Sequence, residues 1–271
     1  MKVPDGERVQ KVLARGGLGS RREIERWIVD GKLKINGNTV KLGDHLNDGD
    51  HLQLNGRVVN WQKFARQPTR VLIYNKPTGE VVTRRDPDGR PVVFKQLPKL
   101  AVGRWIAIGR LDINTQGLLL ATNNGELANR LMHPSFEVDR EYAVRILGEV
   151  DGALIEKLKQ GVELDDGKAH FDDIRFNGGD GANKWYHVTV KEGRNRLVRR
   201  LWESQGKTVS RLMRVRYGPV VLPENLKAQN YYELDDKQLV KLFEFVNMPL
   251  EKPDPSQKSQ DRSGRPKRRK G

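Results

Sequence analysis

The chain has 271 residues, 36% of them hydrophobic, enough for two modest domains. Its 50 Lys and Arg against 35 Asp and Glu leave a formal net charge of +15, which points to an anionic partner and puts nucleic acid ahead of membrane. Cysteine is absent, so disulfides, thiolate metal sites and cysteine nucleophiles are excluded; no apolar run approaches the roughly 18 residues of a membrane span, and the opening "MKVPDGERVQ" lacks a signal-peptide core, so the expectation is a cytoplasmic protein.

In chain order, residues 8–59 read as a small domain of two helices followed by short strands. Val9, Val12 and Leu13 in "RVQKVLARGG" follow helical spacing, and Gly16 and Gly17 stop that helix. "SRREIERWIVDG" opens with a capping-box pattern, Ser20 as N-cap and Glu23 three residues on. Ile24, Trp27 and Ile28 share one face, and Gly31 stands where a helix C-cap belongs. Arg15, Arg21, Arg22 and Arg26 gather around this second helix, whose N-terminal amides suit phosphate. "KLKING", "NTVKLG" and "DHLQLNG" read as strands separated by Gly and Asn turns.

"NWQKFARQP", 60–68, reads as a linker. A larger α+β domain is expected over 69–249, opening with the strand "RVLIYNKP". "FDDIRFNGGDGANKWYHVTVKEG" reads as a hairpin in which Tyr186, Val188 and Val190 alternate. "NRLVRRLWESQG" reads as a helix with Asn195 as N-cap, Leu197 and Leu201 at i,i+4, and Gly206 beyond its end. The tail 250–271 holds eight Lys or Arg against three Asp or Glu, lacks apolar periodicity, and is expected to be disordered with an electrostatic role.

Known chemistries leave few candidates. The five histidines (45, 51, 133, 170, 187) form no chelating pair. The adjacent pairs Asp165–Asp166, Asp172–Asp173 and Asp235–Asp236 read as solvated turns. Nucleotide-binding glycine motifs and a Gly-x-Ser-x-Gly elbow are missing. Neither a metal nor a cofactor is expected. What stands out is Asp112 in "GRLDINTQGLLLATNNG", a lone carboxylate at a turn between the apolar "RWIAI" and the buried-strand pattern "GLLLATN". An ionised carboxylate can serve as nucleophile or base. It can equally cap its own turn, bonding backbone amides near Asn114.

Several segments carry a resemblance. "NKPTG" (75–79), "GRLDINTQGLLLATNNGELANRLMHP" (109–134), "REYAV" (140–144) and "EGRNRLVRRLWESQG" with "VSRLMRVRYG" (192–218) resemble successive motifs of bacterial ribosomal RNA pseudouridine synthases of the RsuA/RluB type. Residues 8–59 resemble the small RNA-binding module shared by a small-subunit ribosomal protein and tyrosyl-tRNA synthetases. The likeness spans about 8–249, and the Asp112 motif is its most specific part. It implies a catalytic domain with a mostly antiparallel sheet and flanking helices. It also implies a cofactor-free reaction: uridine leaves its ribose at nitrogen 1, turns, and is reattached through carbon 5. Asp112 then corresponds to the essential aspartate, by a nucleophilic or a glycal route. Tyr142 corresponds to a tyrosine stacking on the target base, or is a half-buried strand tyrosine. Arg199 corresponds to the arginine pairing with the aspartate, with Arg196 as rival, or either faces phosphate. Leu212 packs on the base or is ordinary core. Arg110 enters the RNA stack or contacts phosphate, and Lys76 and Pro77 shape the rim. The implied partner is large-subunit ribosomal RNA near the peptidyl-transferase region, free or in an assembly intermediate, bound by a monomer. A nonenzymatic ribosome-binding or assembly factor is the alternative.

Overall fold

The computed structural model describes residues 6–65, 67–179 and 181–249. The reading of 250–271 as a basic tail falls outside the described residues. The chain divides into two compact units.

The first unit takes the residues up to Thr69 together with 98–106 and 123–125. Its elements are β1 (Glu7–Arg8), α1 (Val9–Arg15), α2 (Arg21–Val29), β2 (Leu33–Ile35), β3 (Asn38–Thr39), β4 (His45–Leu46), β5 (Leu52–Leu54), β6 (Arg57–Val59) and α3 (Gln62–Ala65). The α2 capping box forms as the sequence predicts: Ser20 Oγ accepts from the Glu23 amide at 3.1 Å, and Glu23 accepts from the Ser20 amide at 3.2 Å. Gly31, just past the helix, has a φ of +67°. β3-β2-β5-β6 form a four-stranded sheet, and β1 pairs with β4. Val9, Val12, Leu13, Ile24, Ile28, Leu33 and Leu52 bury together.

The stretch expected as a linker contributes to this core. Trp61 is 1% exposed, its indole N–H donates to the Asp50 carbonyl at 2.9 Å, and Phe64 packs beside it. Burying an indole outweighs the freedom a linker would keep, since truncating such a side chain costs about 3–5 kcal/mol.

The second unit holds the other described residues. Its strands are β7 (Val71–Lys76), β8 (Ile106–Ile108, begun in the first unit), β9 (Gln116–Thr122), β10 (Arg140–Leu147), β11 (Val162–Leu164), β12 (Gly167–Ala169), β13 (Asp173–Phe176), β14 (Asn183–Val190), β15 (Thr208–Tyr217), β16 (Val220–Val221) and β17 (Tyr231–Glu233). Its helices are α4 (Gly125–Met132), α5 (Gly152–Gln160), α6 (Leu197–Glu203) and α7 (Asp236–Phe245). The main sheet runs β13-β14-β10-β15-β9-β7-β17 and is antiparallel except for β15 against β9. This is the α+β architecture expected.

Two features of this sheet position the site. Val144, Ile146, Tyr186, Val188 and Leu212 turn to one face and bury against Leu197, Leu201 and Trp202 of α6 and Leu158 of α5. The parallel β9–β15 pairing is short, joining Gln116 with Met213 and Gly117 with Arg214. Gly117 has a φ of +103°, and a Cβ there would lie 2.3 Å from the Arg214 carbonyl oxygen. Only glycine lets the two backbones approach this closely.

The expected hairpin forms, with Ile174 opposite Val188 and Phe176 opposite Tyr186. The expected helix N-cap does not. α6 starts at Leu197, and its N-cap is Arg196, left-handed at φ 50°, with no side-chain cap. Asn195 therefore lies one residue too early to cap it.

Candidate active site

Asp112 lies between β8 and β9, half-buried, in a turn closed by the Thr115 amide donating to the Asp112 carbonyl at 3.0 Å. Every carbonyl of this turn accepts a hydrogen bond from outside it. The ammonium of Lys76 donates to the Asp112 carbonyl at 3.1 Å and to the Thr115 carbonyl at 2.9 Å. The Gly79 amide donates to the Ile113 carbonyl at 2.8 Å. An Arg199 Nη donates to the Asn114 carbonyl at 3.0 Å. The turn is thus held by its main chain. Its carboxylate does not cap the turn, and among the described residues it has no hydrogen-bond or ion-pair partner. The self-capping alternative is thereby corrected: the amide at 115 is taken by a carbonyl, leaving the side chain for other work.

Lys76 closes β7 and is fully buried, with its third hydrogen bond to the Pro77 carbonyl at 2.9 Å. Burial lowers its pKa to about 8, against the opposing charges of Glu80 and Asp112. Behind it Tyr74 donates to Glu80 at 2.7 Å, and burial together with that bond pushes the phenol pKa up. Sequence reading gave Lys76 a place at the rim. Its hydrogen bonds to residues 112 and 115, some forty positions away, carry no local signal.

Arg199 is buried on α6, and its second Nη donates to the Val209 carbonyl of β15 at 2.9 Å. It reaches the aspartate's turn, not its carboxylate: no Arg199–Asp112 ion pair forms among the described residues. Burial, then the neighbouring Arg196, lower its pKa, while the Asp112 charge acts the other way, so the carboxylate lies within electrostatic reach of both Lys76 and Arg199. Arg196 is exposed and pairs with Glu203 at 3.4 Å.

Leu212 and Tyr142 lie on β15 and β10, the two strands that follow β9 across the sheet. Leu212 pairs with Val144 on β10, one residue before the Met213–Gln116 pair, and is 5% exposed within the core. Tyr142 pairs with Arg214, which is opposite Gly117 on β9; its ring is half-buried against the same core. Arg110, two residues before Asp112, is exposed. Asp112, Arg199, Leu212 and Tyr142 thus lie in one unit, with Arg199 bonded to the Asp112 turn.

Sequence reading missed Asp166. It is not merely solvated: its carboxylate binds Arg194 at 3.0 Å and Arg200 at 2.9 Å, tethering the β11–β12 hairpin to α6 beside Arg199. The Arg200 hydrogen bond, chiefly, draws its pKa to about 2. Asp235 likewise caps α7 through the Gln238 amide at 2.8 Å. In the first unit Arg21, Arg22 and Arg26 are exposed, and Arg15 is paired with Glu7.

Residues 70–204 match the family described as RNA pseudouridylate synthase, and residues 7–52 match the S4 domain. The Ribosomal large subunit pseudouridine synthase B of Pseudomonas aeruginosa is 53% identical over 269 residues, covering 98% of this chain and 70% of that protein. Its namesake in Escherichia coli K12 is 55% identical over 247 residues, covering 90% of this chain and 85% of that one. A crystal structure of a pseudouridylate synthase superposes with a TM-score of 0.60 at 26% identity, over 87% of this chain and 99% of that one. Sheet, clamped aspartate and N-terminal module together define an RNA-modifying isomerase. The chain belongs to the RNA pseudouridylate synthase family.

Proposed function

We propose that the protein isomerises a uridine of large-subunit ribosomal RNA to pseudouridine, with Asp112 as the essential nucleophile or base. The observation that carries this is the Asp112 turn: four carbonyls held from outside and a carboxylate with no partner among the described residues. Such an arrangement fixes the backbone that carries the carboxylate without spending the carboxylate's lone pairs. In the reaction the N1–C1′ bond breaks and a C5–C1′ bond forms. The hydrogen of C5 is lost as a proton and N1 gains one, so no oxidant, reductant or cofactor enters the balance. Arg199 positions the turn through Asn114 and lends positive charge beside the carboxylate. Tyr142 offers a ring for the base, which must leave its stack to be reached. Leu212 packs on the base, and Arg110 contacts the RNA beside the flipped nucleotide. Arg196, exposed and close to Arg199 in the sequence, contacts phosphate. Arg15, Arg21, Arg22 and Arg26 of the N-terminal unit bind RNA by shape and charge. The substrate lies near the peptidyl-transferase region, as free RNA or in an assembly intermediate, and the enzyme works as a cytoplasmic monomer. Among the described residues no helix is long and apolar enough to cross a membrane.

The test uses ribosomal RNA tritiated at carbon 5 of uridine. Wild-type protein should release tritium, and Asp112→Asn should release none while binding RNA with nearly unchanged affinity. Release by neither protein, on free RNA and precursor particles alike, would instead support a nonenzymatic ribosome-binding factor.

A further inference from the structure

The face of the β13-β14-β10-β15 sheet opposite the core and Tyr142 carries a second arrangement. Val144 and Ile146 point into the core, so by strand alternation Glu141, Ala143, Arg145 and Leu147 point the other way. Cross-strand partners share a face. Arg145 therefore stands in a row between Trp185 on β14 and Arg211 on β15, directly opposite both. Its guanidinium lies 6.0 Å from the centre of the Trp185 ring, within cation–π range. Ser210 is the extra residue of a β-bulge beside this row, and its hydroxyl accepts from Arg145 Nε at 2.9 Å, holding the side chain across the sheet.

Charges on this face divide into two groups. Around Glu141 they balance: Arg175 and Arg216 donate to its carboxylate at 2.9 and 2.8 Å, His187 lies at 2.8 Å, and Asp173 also takes Arg175 at 2.9 Å. Around Arg145 they do not. Arg145 and Arg211 are like charges directly opposite, a destabilising pairing in a sheet, and among the described residues neither has an acidic partner. Arg211 is exposed, and Trp185 is half-buried beside them.

We propose that the row Trp185–Arg145–Arg211 is a second RNA contact, taking a single-stranded segment that flanks the modified site. An anionic backbone relieves the Arg145–Arg211 repulsion, and the indole offers a stacking surface that tolerates any base. A sheet face with an aromatic among cations is a general way to hold single-stranded RNA. The proposal rests on the RNA-modifying reading above but concerns binding, not the chemistry at Asp112.

The experiment compares full-length wild-type protein with Trp185→Ala, Trp185→Phe and the double variant Arg145→Gln/Arg211→Gln. Each is first checked by thermal unfolding. Binding of a ribosomal RNA fragment containing the target helix and its single-stranded flanks is measured over a salt series, alongside the same helix without flanks. Trp185→Ala should weaken binding of the flanked fragment about 5- to 100-fold, and Trp185→Phe should restore most of it. The double variant should lower the salt slope by about 1.4, for two phosphates no longer neutralised at roughly 0.7 each. None of the three variants should change binding of the unflanked helix, nor the tritium-release rate once RNA is saturating. Folded variants with unaltered affinity and slope would overturn the proposal. So would equal weakening on both fragments, which marks a duplex-binding or purely structural role. Wild-type protein that binds the flanked fragment through this row yet releases no tritium would leave the surface intact and remove the catalytic reading.

Discussion

Replacing Lys76 with methionine separates the two things this residue does. The buried ammonium has a pKa near 8 against an ordinary 10.5. Each pKa unit is worth about 1.4 kcal/mol, so keeping it charged costs native stability about 3 kcal/mol at neutral pH. Between pH 8 and 10.5 the unfolded chain still holds a proton that the native state has released, so stability rises with pH there. From about pH 7 to about pH 9.5 the gain amounts to about 2 kcal/mol. Against the cost stand three hydrogen bonds to the Pro77, Asp112 and Thr115 carbonyls; their removal leaves the Pro77 and Thr115 carbonyls unpaired at about 1–3 kcal/mol each, while the Asp112 carbonyl keeps the Thr115 amide. Near pH 7 the terms oppose, and Lys76→Met should unfold within about 3 kcal/mol of wild type. Its denaturant-derived stability should lack the alkaline rise, so the wild-type advantage should widen by about 2 kcal/mol toward pH 9.5. Catalysis should fare worse than folding: without the clamp the Asp112 turn can shift, and displacement by about 1 Å is enough to lose roughly 100-fold in rate. Single-turnover tritium release measures that drop, with RNA affinity as the control. Parallel stability curves for the two proteins across this pH range would refute the buried-cation account, and an unchanged rate would refute the clamp.

Gly117→Ala should destabilise the protein by about 2–4 kcal/mol, because the new Cβ meets the Arg214 carbonyl and the φ of +103° disfavours any side chain; a melting temperature equal to wild type would mean that β9 and β15 can part at no cost. Removing 250–271 takes away a net charge of +5 and should weaken RNA binding and flatten its salt dependence, by roughly 0.7–0.9 for each phosphate the tail neutralises. An unchanged slope in a salt titration would show that the tail does not touch RNA.

What could be read from the chain depended on how local its cause was. The Ser20–Glu23 box spans three residues and was legible because both partners lie within one helical turn. The β13–β14 hairpin was legible because alternation and turn residues are neighbours. Trp61 and Phe64 were misread with a signal in view: two aromatics three apart are poor linker composition, and Trp61 is buried with Phe64 packed against the same core. The α6 N-terminus was misread without one, since nothing near Asn195 announces a left-handed arginine at 196. The carbonyl clamp was not legible at all. Lys76 reaches 36 and 39 residues forward, and Arg199 reaches 85 residues back. Such hydrogen bonds exist only once β7, β9 and α6 have been brought together.

That contrast bears on how the site works. Asp112 was conspicuous as a lone carboxylate between apolar strands, but its identity alone does not distinguish a catalyst from a turn residue. The distinction lies in who satisfies the turn. In a self-capped turn the carboxylate accepts the amides, and its lone pairs are spent on folding. Here Lys76, Gly79 and Arg199 bind the carbonyls, so the conformation is held by donors facing the other polarity of the peptide group. Two of those donors are cations, and both feel the Asp112 charge. The same residues that fix the backbone therefore also place positive charge near the carboxylate. In the proposed mechanism folding and chemistry are served by one set of interactions, which lets the turn be held while its only acidic group stays available to substrate.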